Sequence, residues 1–461
     1  MDVLNVLWGI GGMLVILAIA FAFSTDRRAI RPRTVLGALA VQVVFGVLVL
    51  YTPWGKSALQ TIALGFQSLI DASGEGIDFL FGAILPEEGT VFAFQVLPVV
   101  IFVSSLTAVL YYLNILQWVV RIIGGGLQKV LGTGKAESMN ATANIFLGLT
   151  EAPLVIRPYL TRLTRSELFA VMVGGLATVA GSVLVGYYLL GASMEYLIAA
   201  AFMAAPAGLM MAKIIIPETE KEVSDLAVEG KLPVPAVPGD GGAVAGGGES
   251  TPSPDEAVAE GHAHGTGTST GAGDGAPGAT GALDGEEDSK PHNVIDAAAR
   301  GATEGLKLAL NIGAMLLAFI SLVALLNMGL GALGGLFGMD DLSFQKILGW
   351  VFSPLMFVIG VPWSEAVTAG GFLGQKLILN EFVAFLDFTP QMDALSDKTV
   401  AIVTFTITGF ANVGSLAVLL GGLGNLAPNQ RKRIAKLGVR AIIAGTLANL
   451  MSAAIAGILI G

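Results

Sequence analysis

The chain has 461 residues, of which 54% are hydrophobic and only 13% are charged. Soluble domains have about a quarter of their residues charged, so this composition excludes an ordinary soluble protein and places most of the chain in lipid. The formal net charge of −10 belongs to one segment, since residues 218–290 contain 15 acidic and 3 basic residues.

Two residue types further restrict the chemistry. Cysteine is absent, which excludes disulfides, thiolate metal sites and cysteine nucleophiles. The three histidines, His262, His264 and His292, fall in one polar stretch. The sequence therefore gives little support to a histidine-based metal or catalytic site.

Eight apolar runs approach the length of about 20 residues that a membrane helix needs. In chain order they are 3–23, 35–51, 92–113, 168–190, 196–216, 306–327, 399–420 and 438–460. Basic clusters follow the first run and precede the fourth and the eighth, and the positive-inside rule places such clusters in the cytoplasm. We therefore expect a multi-pass protein of the plasma (inner) membrane with both termini outside. The acidic stretch 53–90 is expected to be an external loop.

Two further apolar stretches, 140–160 and 362–385, are interrupted in the middle. The interrupting residues are Thr150, Glu151 and Pro153 in the first stretch, and Asn380 and Glu381 in the second. Each stretch predicts a re-entrant pair of half-helices. Irregular backbone at membrane depth is tolerated only where it is buried in protein or lines a wet cavity, so both stretches indicate a binding site.

The spans that follow these stretches contain similar motifs. Gly175-Leu-Ala-Thr-Val-Ala and Gly409-Phe-Ala-Asn-Val-Gly share a Gly-x-Ala-polar-Val pattern. In the expected topology the first hairpin enters from inside and the second from outside. This arrangement is typical of an inverted repeat that forms a site near the membrane midplane. Chance similarity between short Gly- and Ala-rich stretches is the alternative.

The acidic segment has the composition of a linker. Residues 233–288 are rich in Gly, Ala, Pro, Ser and Thr and contain almost no large apolar side chains. Such a segment cannot bury enough surface to fold alone, so we predict that it is disordered. His262 and His264 are interpreted as incidental rather than as a metal pair.

Several stretches together resemble the concentrative nucleoside transporter family. The motifs are GLTEAPLVIRPYL at 148–160, VPWSEAVTAGGFLGQKLILNEFVAF at 361–385 and GFANVGSLAVLLGGLGNLAPNQRK at 409–432. Stretches at 92–117, 203–220 and 293–319 are also similar to family sequence. The resemblance covers nearly everything from residue 92 onwards except the acidic linker.

The resemblance implies an all-α polytopic fold with eight transmembrane helices, two re-entrant hairpins in an inverted repeat, and scaffold and transport domains related by an elevator-like shift. It also implies a homotrimer. The expected parts are N-terminal helices and scaffold with an interfacial helix (1–130), a first repeat (131–216), a disordered cytoplasmic linker (217–292), a scaffold helix with an external interfacial helix (293–361) and a second repeat (362–461).

For the nucleoside, the resemblance implies that Glu381, Asn412 and Ser415 hold the ribose. The base would be contacted by Leu149, Thr150, Glu151, Val183 and Phe410. The family commonly has Gln where this chain has Leu149, which supplies apolar contact only, so purine or pyrimidine preference stays open. For Glu151, a structural role in capping the broken helix is the alternative.

For the coupling ion, the family's sodium ligands match the side chains of Asn144 and Thr178 and the carbonyl groups of Leu147 and Val179. Neutral hard oxygen ligands at half-helix ends suit a monovalent cation. A proton carried by Glu151 or Glu381 is the alternative. No organic cofactor is expected.

The sequence thus predicts a cation-coupled, sodium-favouring nucleoside symporter that is not an enzyme. The alternatives are a proton-coupled transporter of nucleosides or similar solutes, and a nucleoside sensor that does not transport. An intramembrane hydrolase would have only carboxylates as reactive groups. A channel needs a continuous polar path, whereas paired hairpins favour an occluded site. No phosphate-binding loop or nucleic-acid motif is present.

Overall fold

A computed structural model describes residues 3–86, 91–220, 291–339 and 341–460. Within these ranges all regular structure is helical, and seven segments are long and apolar enough to cross a membrane, or eight if one bent pair of helices counts as a span. The predicted all-α polytopic fold is confirmed. The predicted linker lies almost entirely outside the described residues.

The helices are numbered in chain order. They are α1 (Val3–Ala22), α2 (Pro32–Gly46), α3 (Pro53–Phe81), α4 (Leu97–Tyr112), α5 (Ile115–Leu131), α6 (Lys135–Ala143), α7 (Arg157–Leu160), α8 (Arg165–Ala177), α9 (Gly181–Leu189), α10 (Met194–Ile215), α11 (Val294–Gly335), α12 (Phe344–Val358), α13 (Trp363–Ile378), α14 (Glu381–Phe388), α15 (Asp397–Ile407), α16 (Val413–Leu426) and α17 (Arg431–Ile460).

The stretch expected to be an external loop is mostly helix α3, so the predicted loop conformation is wrong for residues 53–81. The external location of these residues stays a prediction. Pro53 begins the helix, and the Thr52 hydroxyl accepts a 3.1 Å hydrogen bond from the Gly55 amide at its first turn. The acidic residues at 71, 75 and 78 follow helical spacing. They therefore form one polar face of an amphipathic helix. The prediction of a loop was based on their charge and did not consider their spacing.

Helices α4 and α11 form a closely packed pair. A Cβ atom at Gly301 would lie 2.8 Å from the Ser104 carbonyl oxygen, and one at Gly305 would lie 2.8 Å from the Ile101 Cα. Glycines spaced four residues apart allow membrane helices to approach this closely. Much of the remaining surface of α11 is exposed and apolar, as expected of a helix that faces lipid.

Both predicted hairpins are helices interrupted at the apex. In the first hairpin α6 ends at Ala143, residues 144–151 form turns, and a 3₁₀ segment, Ala152–Ile156, leads into α7. The interruption thus starts several residues before Thr150. In the second hairpin α13 ends at Ile378 and the Asn380 side chain caps α14, accepting a 2.9 Å bond from the Val383 amide.

The span after each hairpin is broken, between α8 and α9 and between α15 and α16. The two sequence motifs nevertheless occupy different structural positions. Thr178 is the C-cap of α8, whereas Asn412 is the N-cap of α16. The structural counterpart of Thr178 is Thr408, the C-cap of α15. Both hydroxyls donate to the carbonyl four residues earlier, at 2.8 Å for Thr178 and 2.6 Å for Thr408. The similarity between the two motifs therefore indicated both broken spans correctly. Its pairing of Thr178 with Asn412 was wrong, because Thr178 corresponds in structure to Thr408.

Two amphipathic helices and a long terminal helix complete the fold. Helix α5 lies in the part predicted to carry an interfacial helix, and α12 lies in the part predicted to carry the external one. Helix α12 meets α13 at a bend of 117°. The second half of α17 is almost entirely buried and contacts α8, α10 and α15. It therefore lies between the two broken spans.

Candidate functional site

The two broken spans meet at their breaks. The Phe410 amide donates to the Thr178 carbonyl at 3.2 Å. The Asn449 side chain, on α17, donates to the carbonyl of Ala177 at 2.7 Å and to that of Thr408 at 2.9 Å. These carbonyls lie at helix C-termini, where the helix itself leaves acceptors without partners. One buried amide therefore joins the ends of α8 and α15.

The predicted ribose-binding residues lie together beside this junction. The Asn412 Nδ2 donates to the Glu381 Oε2 at 2.9 Å, and the Asn412 Oδ1 accepts from the Ser415 amide at 2.8 Å. All three residues are buried. Glu381 begins α14 and Asn412 caps α16, so a carboxylate and an amide are held at two helix N-termini, whose dipoles favour negative charge.

Two further buried side chains, Lys376 and Tyr187, lie near Glu381, and neither was predicted from the sequence. Lys376 is fully buried on α13, its Nζ donates to the Asn449 Oδ1 at 3.2 Å, and it attracts the Glu381 carboxylate. Tyr187 is also fully buried and stacks on Phe385 at 4.4 Å between ring centroids. A lysine inside an apolar stretch was a signal that could have identified the first.

The residues predicted to contact the base come from both repeats. Leu149 is buried against α8, where a Cβ atom at Gly175 would overlap its side chain. Thr150 packs against Gly422 of α16 in the same way. Phe410 is half-buried in the second break, and Val183 is buried in the first turn of α9. Among the described residues, no hydrogen bond joins this group to Glu381.

Glu151, predicted to lie at membrane depth, is exposed on the surface of the described chain, and its depth in the membrane stays a prediction. Its Oε2 accepts a hydrogen bond from the Gly148 amide within the turn of the first hairpin. This is the contact expected of a capping carboxylate. Its predicted contact with the base is not tested by this geometry.

The predicted sodium ligands lie around the first break. Asn144 is the C-cap of α6, and its Nδ2 donates to the Asn140 carbonyl at 2.9 Å. Its Oδ1 is buried and has no partner within the described ranges. The Gly181 amide donates to the Phe146 carbonyl at 3.3 Å, which holds the hairpin turn against the break that contains Thr178 and Val179. A buried amide oxygen beside the backbone carbonyls of these two breaks in the helices fits a monovalent cation.

Three family models match the chain. "Na+ dependent nucleoside transporter C-terminus" matches residues 196–457, "Na+ dependent nucleoside transporter N-terminus" matches 11–84, and "Nucleoside recognition" matches 93–194. Together these models cover most of the chain, including both hairpins.

Three relatives match nearly the whole of this chain, and two of them are named as nucleoside transport proteins. The chain is 43% identical to the nucleoside permease NupC of Helicobacter pylori, over 99% of this chain and 98% of the permease. It is 48% identical to the uncharacterized transporter YutK of Bacillus subtilis, over 99% and 100%. It is 34% identical to the sodium/nucleoside cotransporter 2 of Rattus norvegicus, over 97% of this chain and 62% of that protein.

Solved structures share the fold. The structure of CNTnw in an inward-facing substrate-bound state matches with a TM-score of 0.83 at 47% identity. The match extends over 99% of this chain and 98% of that one. A CNTnw variant in an outward-facing state matches with a TM-score of 0.84 at 47% identity, over 99% of this chain and 98% of that one. These proteins are transporters rather than enzymes, which confirms the prediction that the chain is not an enzyme.

Proposed function

Because the chain belongs to the concentrative nucleoside transporter family, we propose that it is a sodium-coupled symporter that carries nucleosides into the cell. The observation that supports this most strongly is the buried Glu381–Asn412 pair at the ends of two half-helices. A carboxylate acceptor and an amide match the vicinal hydroxyl groups of a ribose.

Sugar recognition in this proposal is performed by groups that already contact one another. When a ribose enters, its hydroxyl groups donate to the Glu381 carboxylate and accept from the Asn412 amide, with Ser415 in the same helical turn. A solute without these hydroxyl groups would leave buried polar atoms unpaired, which is costly. The site therefore selects nucleosides over free bases.

Base recognition would use the tip of the first hairpin. The polar and apolar surface of this tip would come from Leu149, Thr150 and Glu151. The ring of the base would pack against Val183 and Phe410. Thr150 already contacts α16, which carries Ser415. Closure of the first hairpin on the base would therefore act on the same helix that holds the ribose.

The coupling ion would bind at Asn144, Thr178 and the carbonyls of Leu147 and Val179. Supporting this, the Asn144 Oδ1 is buried and has no hydrogen-bond partner in the part of the chain that the structure describes. A cation there would fix the turn that leads into Leu149 and Thr150. Sodium binding would therefore order the part of the site that contacts the base.

Movement across the membrane would follow an elevator-like shift in a homotrimer. The hairpins, the broken spans and α17 would form the moving body, and the α4–α11 pair would belong to the scaffold. The close packing of that pair through Gly301 and Gly305 suits a rigid support. Both termini would lie outside the plasma membrane.

A second candidate function is proton-coupled transport, which two buried titratable side chains near the ribose site, Lys376 and Glu381, favour. The test uses purified protein in vesicles and uptake of radiolabelled uridine and adenosine. We expect an inward sodium gradient to concentrate nucleoside, and choline in place of sodium to abolish accumulation. Accumulation driven by an inward proton gradient without sodium would favour the second candidate. Equilibrium binding without uptake under either gradient would favour a sensor.

A further inference from the structure

Helix α6 carries a row of three buried polar side chains. Asn144, Asn140 and Glu137 are separated by four and three residues, so they lie on one face of the helix. Their exposed fractions are 1%, 0% and 0%. The row starts at the proposed sodium site and leads away from the first break towards the start of α6.

The two amides in the row have free acceptor atoms. The Asn144 Nδ2 donates to the Asn140 carbonyl at 2.9 Å, and the Asn140 Nδ2 donates to the Val171 carbonyl of α8 at 3.4 Å. These bonds fix both amides, and both Oδ1 atoms are buried without a hydrogen-bond partner among the described residues. A buried acceptor of this kind is rare unless a ligand or water pairs with it. Amides do not titrate, so the two asparagine positions suit a metal cation better than a proton.

The row ends in a cluster of charges. The Glu137 Oε2 lies 2.7 Å from the Lys213 Nζ, which also contacts the Glu218 Oε2 at 3.3 Å and the Ser166 Oγ at 2.9 Å. Two carboxylates therefore lie at the far end of the row, and carboxylate oxygens are ligands that hard cations prefer.

Glu218 and Ser166 also line a cavity of about 250 Å³. Its other lining residues are Thr25, Asp26, Arg165, Ile216, Pro217, Thr219 and Glu220. Arg165 and the arginines that follow Asp26 belong to the basic clusters expected at the cytoplasmic face. The row therefore leads from the proposed sodium site towards a cavity on the expected inner side.

We propose that this row is the inner release path of the coupling cation. The Asn140 Oδ1 is a transient site for a monovalent cation that leaves Asn144, and Glu137 passes the cation to the cavity at Glu218. The proposal rests on the sodium coupling proposed above. It adds a second cation-binding position, at Asn140, to the transport cycle.

The test separates cation release from nucleoside binding. Asn140→Leu keeps the approximate shape of the side chain and removes its oxygen. Exchange of nucleoside between vesicle sides that both contain saturating sodium does not require sodium release, so we expect exchange to be retained. Net uptake driven by a sodium gradient requires sodium release. In Asn140→Leu we expect the rate of net uptake to fall about tenfold or more, which corresponds to roughly one lost cation–oxygen contact.

The matched control is Thr142→Val on the other side of α6. Thr142 is fully buried, its hydroxyl donates to the Ser138 carbonyl at 3.0 Å, and it faces Gly124 of α5. We expect this variant to retain both net uptake and exchange. Net uptake by Asn140→Leu at the rate of Thr142→Val would overturn the path.

A second variant keeps the test decisive if Asn140→Leu does not fold. Asn140→Asp retains the shape and adds an anionic oxygen, and we expect it to bind sodium several-fold more tightly in a titration of purified protein. Unchanged sodium affinity in this variant would overturn the proposal. If nucleoside binding to the unmodified protein ignores sodium, the proposed function and the path both fail. If it responds to sodium while both Asn140 variants behave as the unmodified protein, the path alone fails.

Discussion

Glu381 accepts a 2.9 Å hydrogen bond from the side chain of Asn412, although 31 residues separate them. Glu381 begins one half-helix and Asn412 caps another, so the bond joins the second hairpin to the second broken span. Asn412 also accepts from the Ser415 amide. The proposed ribose site is therefore held together before any ligand enters, which reduces the entropic cost of binding.

Replacement of Glu381 by Gln should remove most uptake. The variant keeps the shape of the side chain and loses the charged acceptor in a buried site. A hydrogen bond to a charged group contributes about 1.5–3 kcal/mol, so we expect apparent nucleoside affinity to fall about 10- to 100-fold. Equilibrium binding and vesicle uptake measure this. Asp393→Asn changes an exposed carboxylate and is the control. Wild-type affinity in Glu381→Gln would refute the ribose role.

Replacement of Asn449 by Leu should destabilise the junction of the broken spans. The variant leaves the Ala177 and Thr408 carbonyls buried without their donor, at a cost of about 1–3 kcal/mol each. We expect a clearly lower thermal unfolding temperature in detergent. Asn429→Leu is the control, because Asn429 also donates to a carbonyl, that of Thr161 at 2.7 Å, but is exposed. Equal shifts in the two variants would contradict the proposed importance of the junction.

The sequence predicted the features that depend on local chemistry. Both hairpins and both broken spans were identifiable because polar residues inside apolar runs interrupt helices locally. Helix α3 was missed because its acidic residues resemble those of a loop unless their helical spacing is considered. Thr178 and Asn412 were aligned incorrectly because short Gly- and Ala-rich motifs do not determine at which end of a break each residue lies.

The contacts between distant segments were beyond the sequence alone. Lys376 and Asn449 are 73 residues apart, and nothing in either segment indicates that they pair. The exposure of Glu151 likewise depends on how the first hairpin packs. Such features follow from tertiary packing, which local patterns do not determine.

Replacement of Leu149 by Gln should change base selectivity. Leu149 is buried against Gly175, so a Gln amide there would lack partners unless a base supplied them. We expect the ratio of purine to pyrimidine nucleoside transport to change by about fivefold or more. A buried amide without a partner strongly favours the base whose hydrogen-bonding edge can pair with it. Competition uptake assays with paired nucleosides measure the ratio. Leu154→Gln, at an exposed position of the same hairpin, should leave it unchanged. An unchanged ratio in Leu149→Gln would remove this residue from the base site.

Replacement of Thr178 by Val should weaken sodium binding and, through it, nucleoside binding. The variant removes one neutral oxygen ligand, worth about 1 kcal/mol, so we expect apparent sodium affinity to fall about fivefold. Linkage requires reciprocity: if sodium tightens nucleoside binding, nucleoside tightens sodium binding by the same factor. Nucleoside affinity should therefore fall at low sodium and recover at saturating sodium.

The matched control for this last variant is Thr408→Val. Thr408 caps α15 as Thr178 caps α8, and its hydroxyl makes the same bond to the carbonyl four residues earlier, but it lies outside the proposed sodium site. The measurement is nucleoside binding to purified protein across a sodium series, with choline replacing sodium at constant ionic strength. Because both variants lose the same internal bond, a sodium effect confined to Thr178→Val isolates the ligand role from the structural one. Binding that ignores sodium but follows pH would contradict the sodium site and transfer the coupling role to a carboxylate, with Glu381 the buried candidate.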